Sequence, residues 1–444
     1  MKTWMPISMM FLALAAVSYG QATPTAVATN TSPRWGLPSL DGSVHYALSA
    51  SQLVELGYYS AGQTTHSTSL SGNVSYANLS QDLPFSMLFS GGVLFGNSGQ
   101  GTTTFQNIAV SQGLVRGKWT LNISNSFSYL PQSPTTGLSG IPGVGDLGTQ
   151  PVEIPGQGSS GGILTNSGYR IYNTLSGGVE RRFTGRTSVS GTGAWSVLRF
   201  LDNNGLDTSQ ISGSVSVDHR LDARDTISAG ASYSTYSTNA NAGNANSLNP
   251  LYVADFRTRG LNVGYMRLLS RSLTFNASAG PQWVDSSSGT LIPSRVNVAA
   301  NVGLSYSRKL MGASVNYNRG VNGGGGVQPG GLSDTISGSL GRSLNRTWMA
   351  SAQAAYTRTS GLLAAPPVAG QTTGTAVNGV TKTFYGGGQI SRAFGRYWSG
   401  WFSYVAQNQS TNSLIVSQNA LSGLSQTFAV GITFAPRATR LGQF

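Results

Sequence analysis

The chain has 444 residues, a net charge of +13, 59 glycines and no cysteine. Charged residues make up only 9% of it, whereas about 25% is typical of soluble globular domains. This low share of charged residues excludes an ordinary soluble surface. The absence of cysteine excludes disulfides and thiolate metal sites. The 8 Trp, 18 Tyr and 16 Phe argue against a disordered chain, because disordered chains are depleted in aromatic residues.

The N-terminus has the pattern of a secretory signal. Lys2 is followed by a mostly apolar stretch from Met5 to Val17 and then by small residues, which predicts a signal peptide over residues 1–20. Residues 21–42 are predicted to be a flexible N-terminal segment. No later segment offers about 20 consecutive apolar residues, so insertion as membrane helices is excluded. The sequence thus predicts export across the inner membrane.

Alternation of apolar with small or polar residues is the strongest pattern in the chain. It is clearest over residues 295–307, and it recurs over 273–280 and 227–234. The apolar positions of the first stretch are Val296, Val298, Ala300, Val302, Leu304 and Tyr306. A period of two places the two sets of side chains on opposite faces of a β-strand. Helical periodicity is not sustained anywhere after the signal peptide.

Short connections between the strands are marked by a repeat in which a basic residue precedes Leu or Phe and another basic residue often follows the turn. From Arg182 to Arg392 the repeat advances 210 residues in five steps, a mean of 42, which fits two strands, one tight turn and one longer loop. The basic rim predicted at these turns consists of Arg182, Arg186, Arg220, Arg224, Arg267, Arg271, Arg308, Arg342, Arg346, Arg392 and Arg396. Longer, polar connections alternate with the short ones, so the pattern indicates an array of hairpins.

The strand count, taken backward from a final strand near 425–434 to a first strand within 43–58, is eighteen. Residues 51–58 could instead form a helical turn, which would leave sixteen strands. The pattern predicts an all-β fold, a transmembrane antiparallel up-and-down barrel over 43–435. Closure in lipid pairs every backbone group and places the apolar face against hydrocarbon. A soluble β-solenoid is the structural alternative.

Aromatic residues near the strand ends are predicted to form the girdles of such a barrel. They are Tyr233, Tyr265, Trp283, Tyr306, Tyr317, Trp348, Tyr356, Trp398 and Tyr404.

The last strand carries apolar residues at alternate positions, namely Phe428, Val430, Ile432 and Phe434. Here the chain resembles the outer-membrane β-barrel (porin-like) family. The resemblance implies a bacterial outer-membrane location, outer-membrane lipid and the barrel-insertion machinery as partners, and these four residues as the insertion signal. The chain departs from the family pattern because a C-terminal tail, 436–444, follows the strand.

The longest connection, 131–167, is rich in proline and glycine and contains Asp146 and Glu153. Its position after the fifth strand resembles that of the loop that narrows the lumen of general porins. The resemblance implies that the two acids form the acidic side of a constriction. A mobile surface loop is the equally weighted alternative.

The basic rim has two interpretations. Its residues can be solvated side chains at the membrane interface, or they can focus a positive potential that concentrates anionic solutes at one mouth. The even spacing and the lack of a binding motif speak against nucleic acid.

The function expected from these features is a porin-like channel for passive diffusion of small hydrophilic solutes, anionic ones included. The hairpin pattern over about 168–434 also resembles barrels that accompany exopolysaccharide export, which makes polysaccharide an alternative cargo. A non-conducting structural or adhesin barrel is the third hypothesis. No nucleophile elbow, metal-binding or phosphate-binding motif is present, so neither an enzyme nor a cofactor is expected.

Overall fold

The computed structural model describes residues 42–57, 64–78, 80, 82–96, 102–130, 170–201, 206–240, 254–286, 292–324, 330–362, 379–412, 422–436 and 439–441. The predicted signal peptide and the predicted constriction loop lie outside these residues. Within the described ranges there is no α-helix. No helix in this part of the chain is long and apolar enough to span a membrane.

The described residues form eighteen long strands and one short strand. They are β1 (Gly42–Gly57), β2 (Thr65–Asn78), β3 (Phe85–Gly96), β4 (Thr102–Arg116), β5 (Trp119–Leu130), β6 (Arg170–Arg182), β7 (Thr187–Phe200), β8 (Leu206–Arg220), β9 (Asp225–Ala240), β10 (Ala254–Ser270), β11 (Leu273–Ser286), β12 (Arg295–Arg308), β13 (Met311–Asn322), β14 (Gly331–Ser343), β15 (Trp348–Gly361), β16 (Val380–Phe394), β17 (Trp398–Asn412), β18 (Gly423–Phe434) and β19 (Thr439–Leu441).

Every long strand pairs antiparallel with the strands before and after it in the chain. The ring closes between β1 and β18, whose register runs from Leu48↔Phe434 to Gly57↔Ser425. The short strand β19 lies in the predicted C-terminal tail and pairs with the first residues of β1. It follows β18 in the chain and pairs with the same strand. The predicted antiparallel up-and-down barrel of eighteen strands is confirmed. The sixteen-strand alternative is wrong, because residues 51–57 continue β1, pairing with β18 as far as Gly57 and with β2 as far as Glu55.

The connections differ at the two ends of the barrel. One end, called here the turn end, has the short connections 79–84, 117–118, 183–186, 221–224, 271–272, 309–310, 344–347 and 395–397, together with both strand termini of the barrel. The other end, the loop end, has the connections 58–64, 97–101, 131–169, 201–205, 241–253, 287–294, 323–330, 362–379 and 413–422. Short periplasmic turns and long extracellular loops are typical of outer-membrane barrels.

A side chain that accepts two backbone hydrogen bonds stabilises several of the short turns. Asp222 Oδ1 accepts from the N–H groups of Arg224 at 2.6 Å and Asp225 at 2.8 Å. These two bonds hold the pKa of Asp222 below its usual value, because they favour the charged carboxylate. Thr184 and Asn345 accept in the same way in two other turns. In three of the six repeats, the Leu or Phe is thus followed by a turn-forming Thr, Asp or Asn.

The two faces of the strands differ as predicted from the alternation. Large apolar side chains lie outward, with Val263 68% and Ile211 61% exposed. Cross-strand registers place all nine predicted girdle aromatics on this outward face. The opposite face, toward the lumen, carries mainly Ser, Thr, Asn, Gln and Gly.

An arginine placed on each face in turn should distinguish the lipid side from the water side. Val215 lies outward and is 56% exposed, and its neighbour Ser214 lies toward the lumen. We expect Val215→Arg to lower the free energy of unfolding by about 2–4 kcal/mol, as basic residues near the bilayer midplane do in such barrels. Ser214→Arg should cost clearly less. Urea titrations of the two variants in phosphatidylcholine vesicles measure this difference, and equal losses would contradict the assignment of the faces.

Candidate functional site

The wall of the lumen is lined by small hydroxyl side chains that bond to one another across neighbouring strands. Ser190 and Ser216 are 2.7 Å apart through their hydroxyls, and Ser314 and Ser339 are 2.8 Å apart. Further pairs of the same kind are Thr192–Ser214, Ser124–Ser176 and Thr335–Thr357. Each hydroxyl keeps a remaining capacity to bond water, so these uncharged pairs form a hydrophilic part of the lining.

The loop end of the lumen is narrowed by the end of β13. The pairing of β13 with β12 stops at Arg319, opposite Ala300, although β13 continues to Asn322 beside β14. Beyond this point the Val321 N–H donates to Gln282 Oε1 of β11 at 3.2 Å. The Val321 carbonyl accepts from the hydroxyl of Tyr236, on β9, at 3.3 Å. The end of β13 therefore leaves the wall and lies across the lumen faces of β9 to β11.

A buried apolar cluster holds this inward-folded segment, and we call it the outer-mouth cluster. Its members are Tyr236, Phe256, Val284, Ile292, Val321, Leu332 and Leu362. Tyr236 and Phe256 stack with their ring centroids 4.5 Å apart and their planes 10° from parallel. Such aromatic pairs contribute about 0.5–1.5 kcal/mol beyond the burial of their area. The cluster thus joins residues from five strands and two connections at one mouth.

Gly330 is required where the segment returns to β14. Its φ of +81° is a backbone conformation that other residues rarely adopt, and a Cβ there would lie 2.8 Å from Phe256 Cε1. Only glycine combines this φ with so close an approach to the aromatic ring. Gly330 therefore serves the contact with the lumen wall.

Arg295 lies on the part of β12 that β13 leaves uncovered. It pairs with Val284, while Asn297 pairs with Gln282, so both side chains lie on the lumen face beside the inward-folded segment. The Nε and Nη2 atoms of Arg295 and the Nδ2 atom of Asn297 are buried and make no hydrogen bond within the described residues. A cationic group with free donors therefore lies at the narrowed mouth.

The predicted basic rim is divided among three environments at the turn end. Within strands, Arg182 and Arg220 lie on the lumen face, where Arg182 Nε is 3.4 Å from Glu180 Oε1. The outward face carries Arg267, Arg308, Arg342 and Arg392. The turns themselves carry Arg186, Arg224, Arg271, Arg346 and Arg396.

One outward rim residue shows how these arginines use the girdle aromatics. The Arg392 guanidinium lies 5.3 Å from the ring centroid of Trp348 and 5.5 Å from that of Phe394. Cation–π contacts of this kind fit the membrane interface. They direct the charge of Arg392 to the outside of the barrel and away from the solute path.

The other predicted site residues are those of the insertion signal and the two acids of the 131–167 connection. Phe428, Val430, Ile432 and Phe434 lie outward, with Val430 57% and Ile432 55% exposed. Their role as an insertion signal stays a prediction. Asp146 and Glu153 lie outside the described residues, and so does the 131–167 constriction hypothesis. Among the residues that the structure describes, no three His, Asp or Glu side chains group to hold a metal ion.

Sequence reasoning missed the outer-mouth cluster and Arg295, although a signal was present. Tyr236 is in phase with Ser232 and Ser234, and Phe256 is in phase with Thr258 and Gly260. A large aromatic residue on a face that otherwise carries small polar residues indicates a lumen contact.

Comparison with protein families finds no match to this chain, and comparison with curated proteins finds none either. Solved structures are similar over most of its length. They include the siderophore receptor PirA from Pseudomonas aeruginosa, at 8% identity and a TM-score of 0.43, with 90% of this chain and 81% of that one covered. Pseudomonas aeruginosa OccK2 (OpdF) in complex with glucuronate is similar at 9% identity and a TM-score of 0.42, covering 89% and 98%. The FrpB iron transporter from Neisseria meningitidis is similar at 8% identity and a TM-score of 0.44, covering 89% and 81%. At these identities the likeness concerns the fold alone.

Proposed function

We propose that this barrel is an outer-membrane channel for the passive diffusion of small hydrophilic solutes, with a preference for anions. The observation that carries the proposal is the hydroxyl-rich lining of a closed barrel, such as the Ser190–Ser216 and Ser314–Ser339 pairs. A lining of this kind replaces part of the hydration of a passing solute without holding it.

The preference for anions follows from the charges on the lumen face. Among the described strands, this face carries the basic residues Arg170, Arg182, Arg220 and Arg295 and the acidic residues Glu55, Glu180 and Asp218. Arg182 is close to Glu180, whereas Arg295 has no acidic partner within the described residues and lies where the lumen is narrow. A fixed charge acts most strongly on a passing ion at the narrowest point, where little water screens it.

Reconstitution tests the proposal directly. Purified barrel in planar bilayers should give discrete conductance steps, and proteoliposomes should swell in an isosmotic solution of a small neutral sugar. A gradient of potassium chloride should give a zero-current potential of the sign expected for chloride preference. Protein that is inserted and folded, as shown by resistance to unfolding in cold detergent, yet gives neither current nor swelling would exclude the channel and favour a structural or adhesin barrel.

Polysaccharide passage remains the alternative proposal. An extended polymer would have to pass the segment of β13 that crosses the lumen faces of β9 to β11. Swelling assays with oligosaccharides of increasing length address it, since the small-solute channel predicts a sharp size limit.

A further inference from the structure

A row of polar and basic side chains crosses the outward face of the barrel near its loop end. Arg358 on β15 pairs with Lys382 on β16, and Lys382 pairs with Ser410 on β17. All three side chains are exposed and lie on the same face as the outward aromatics. We call Arg358, Lys382 and Ser410 the outer basic row. Neighbouring strands are about 4.8 Å apart, so the three groups are close enough to contact one small anion.

Within the described residues, the two cations of this row face each other, and the one acidic residue that pairs with either of them already contacts Arg319. Arg358 also pairs with Asp334, but Asp334 Oδ1 accepts from Arg319 Nη1 at 2.7 Å and from the Tyr317 hydroxyl at 2.8 Å. Within the described ranges, neither Arg358 nor Lys382 makes an ion pair. Like charges directly opposite each other on neighbouring strands are destabilising. An anion bound between them would remove this repulsion.

The depth of the row in the membrane follows from the aromatic residues beside it. Tyr356 and Phe384 form the adjacent outward pair on the turn side of Arg358 and Lys382, and they are 41% and 47% exposed. Outward aromatic residues near strand ends mark the boundary between hydrocarbon and headgroups. The outer basic row lies just beyond that boundary, toward the loop end, which is the level of the headgroups in the outer leaflet.

We propose that the outer basic row binds the phosphate group of a phosphorylated lipid in the outer leaflet. The Arg358 guanidinium can donate two parallel hydrogen bonds to phosphate oxygens, the Lys382 ammonium adds a second charge, and the Ser410 hydroxyl is a further donor. The aromatic pair on the turn side contacts the acyl chains of the same lipid. The site is on the outside of the barrel and is independent of solute passage through the lumen.

Binding of bisphosphorylated lipid A to the full-length barrel in neutral detergent tests this proposal. Native mass spectrometry over a lipid titration gives the apparent Kd. Because each basic residue near an anionic lipid surface contributes about fivefold, we expect R358Q/K382Q to bind about thirtyfold more weakly than the wild type. The charge-preserving variant R358K/K382R should bind nearly as the wild type does.

The matched control is R308Q/R342Q, which removes two outward arginines at the turn end and should leave binding unchanged. Dephosphorylated lipid A should bind the wild type no better than R358Q/K382Q binds the phosphorylated lipid. Equal loss in both double variants, undiminished binding by R358Q/K382Q, or equal binding of the dephosphorylated lipid would overturn the proposal. Competition by inorganic phosphate as strong as that by lipid A would likewise overturn it, because a free-anion site would then suffice. Conductance should be the same in all these variants, so the result does not depend on the proposed channel.

Discussion

Replacing both Tyr236 and Phe256 by alanine should increase the single-channel conductance severalfold and raise the size limit for neutral solutes. The two rings stack on each other, and Tyr236 donates the hydrogen bond that holds the Val321 carbonyl across the lumen. Without them, the outer-mouth cluster loses its largest members and the end of β13 loses a contact with the wall. Conductance in planar bilayers and swelling with sugars of graded size measure the change.

The control for this variant removes aromatic residues from the outside of the same region. Tyr233→Ala with Trp283→Ala takes two outward residues from β9 and β11, which are 46% and 36% exposed. This pair should reduce stability without changing conductance. If the outward pair opened the channel as much as the lumen pair, general loosening of the barrel and not the inward-folded segment would set the conductance, and the constriction would be disproved.

Replacing Arg295 by glutamate should reverse the ion preference of the channel from anions to cations. Arg295 lies on the lumen face opposite Val284, a member of the outer-mouth cluster, and two of its nitrogen atoms are buried. A reversed charge at a narrow, poorly screened point changes the local potential that a passing ion meets. The zero-current potential in a potassium chloride gradient should change sign, and Arg295→Gln should give an intermediate value.

Arg257→Glu provides the matched control for this charge reversal. It makes the same change at the loop end, but Arg257 shares the outward face of β10 with Arg259 and lies away from the lumen. We expect its zero-current potential to equal that of the wild type. A change of the same size in both variants would mean that Arg295 acts through the overall charge of the mouth and not at a constriction. High salt should weaken the effect of Arg295→Glu, since screening shortens the range of the charge.

The sequence predicted the barrel because its causes are local. The alternation over 295–307 indicates which face of β12 meets lipid. The Leu or Phe of the repeat, followed in three turns by Thr184, Asp222 or Asn345, indicates where the chain reverses in a hairpin. Such signals need no knowledge of the rest of the chain. The uncertainty about the first strand had a local origin too, since SQLVELGY is compatible with a helical turn. Pairing of this segment with both β2 and β18 shows that it is a strand, and unpaired backbone groups would be costly in lipid.

The candidate site could be predicted only in part. The sequence placed the basic rim at the turn end, and its residues are there, but it could not tell which arginines face the lumen. Arg220 and Arg267 are each followed by leucine, yet they lie on opposite faces of the barrel. The face depends on how many residues separate the arginine from the turn, which differs between the two strands. The constriction hypothesis for Asp146 and Glu153 stays a prediction.

What the sequence by itself determined is the all-β class, the order of the hairpins and the assignment of faces, because hydrophobic alternation and turn chemistry act between residues close in the chain. The choice of eighteen strands over sixteen needed the pairing of β1. Only the tertiary structure decided where the lumen is narrow. The contact of Tyr236 with Val321 joins residues 85 positions apart, and it forms where β13, no longer paired with β12 beyond Arg319, lies across the lumen faces of β9 to β11. The outer basic row was likewise decided by register, since only strand pairing places Arg358 and Lys382 side by side above the aromatic girdle.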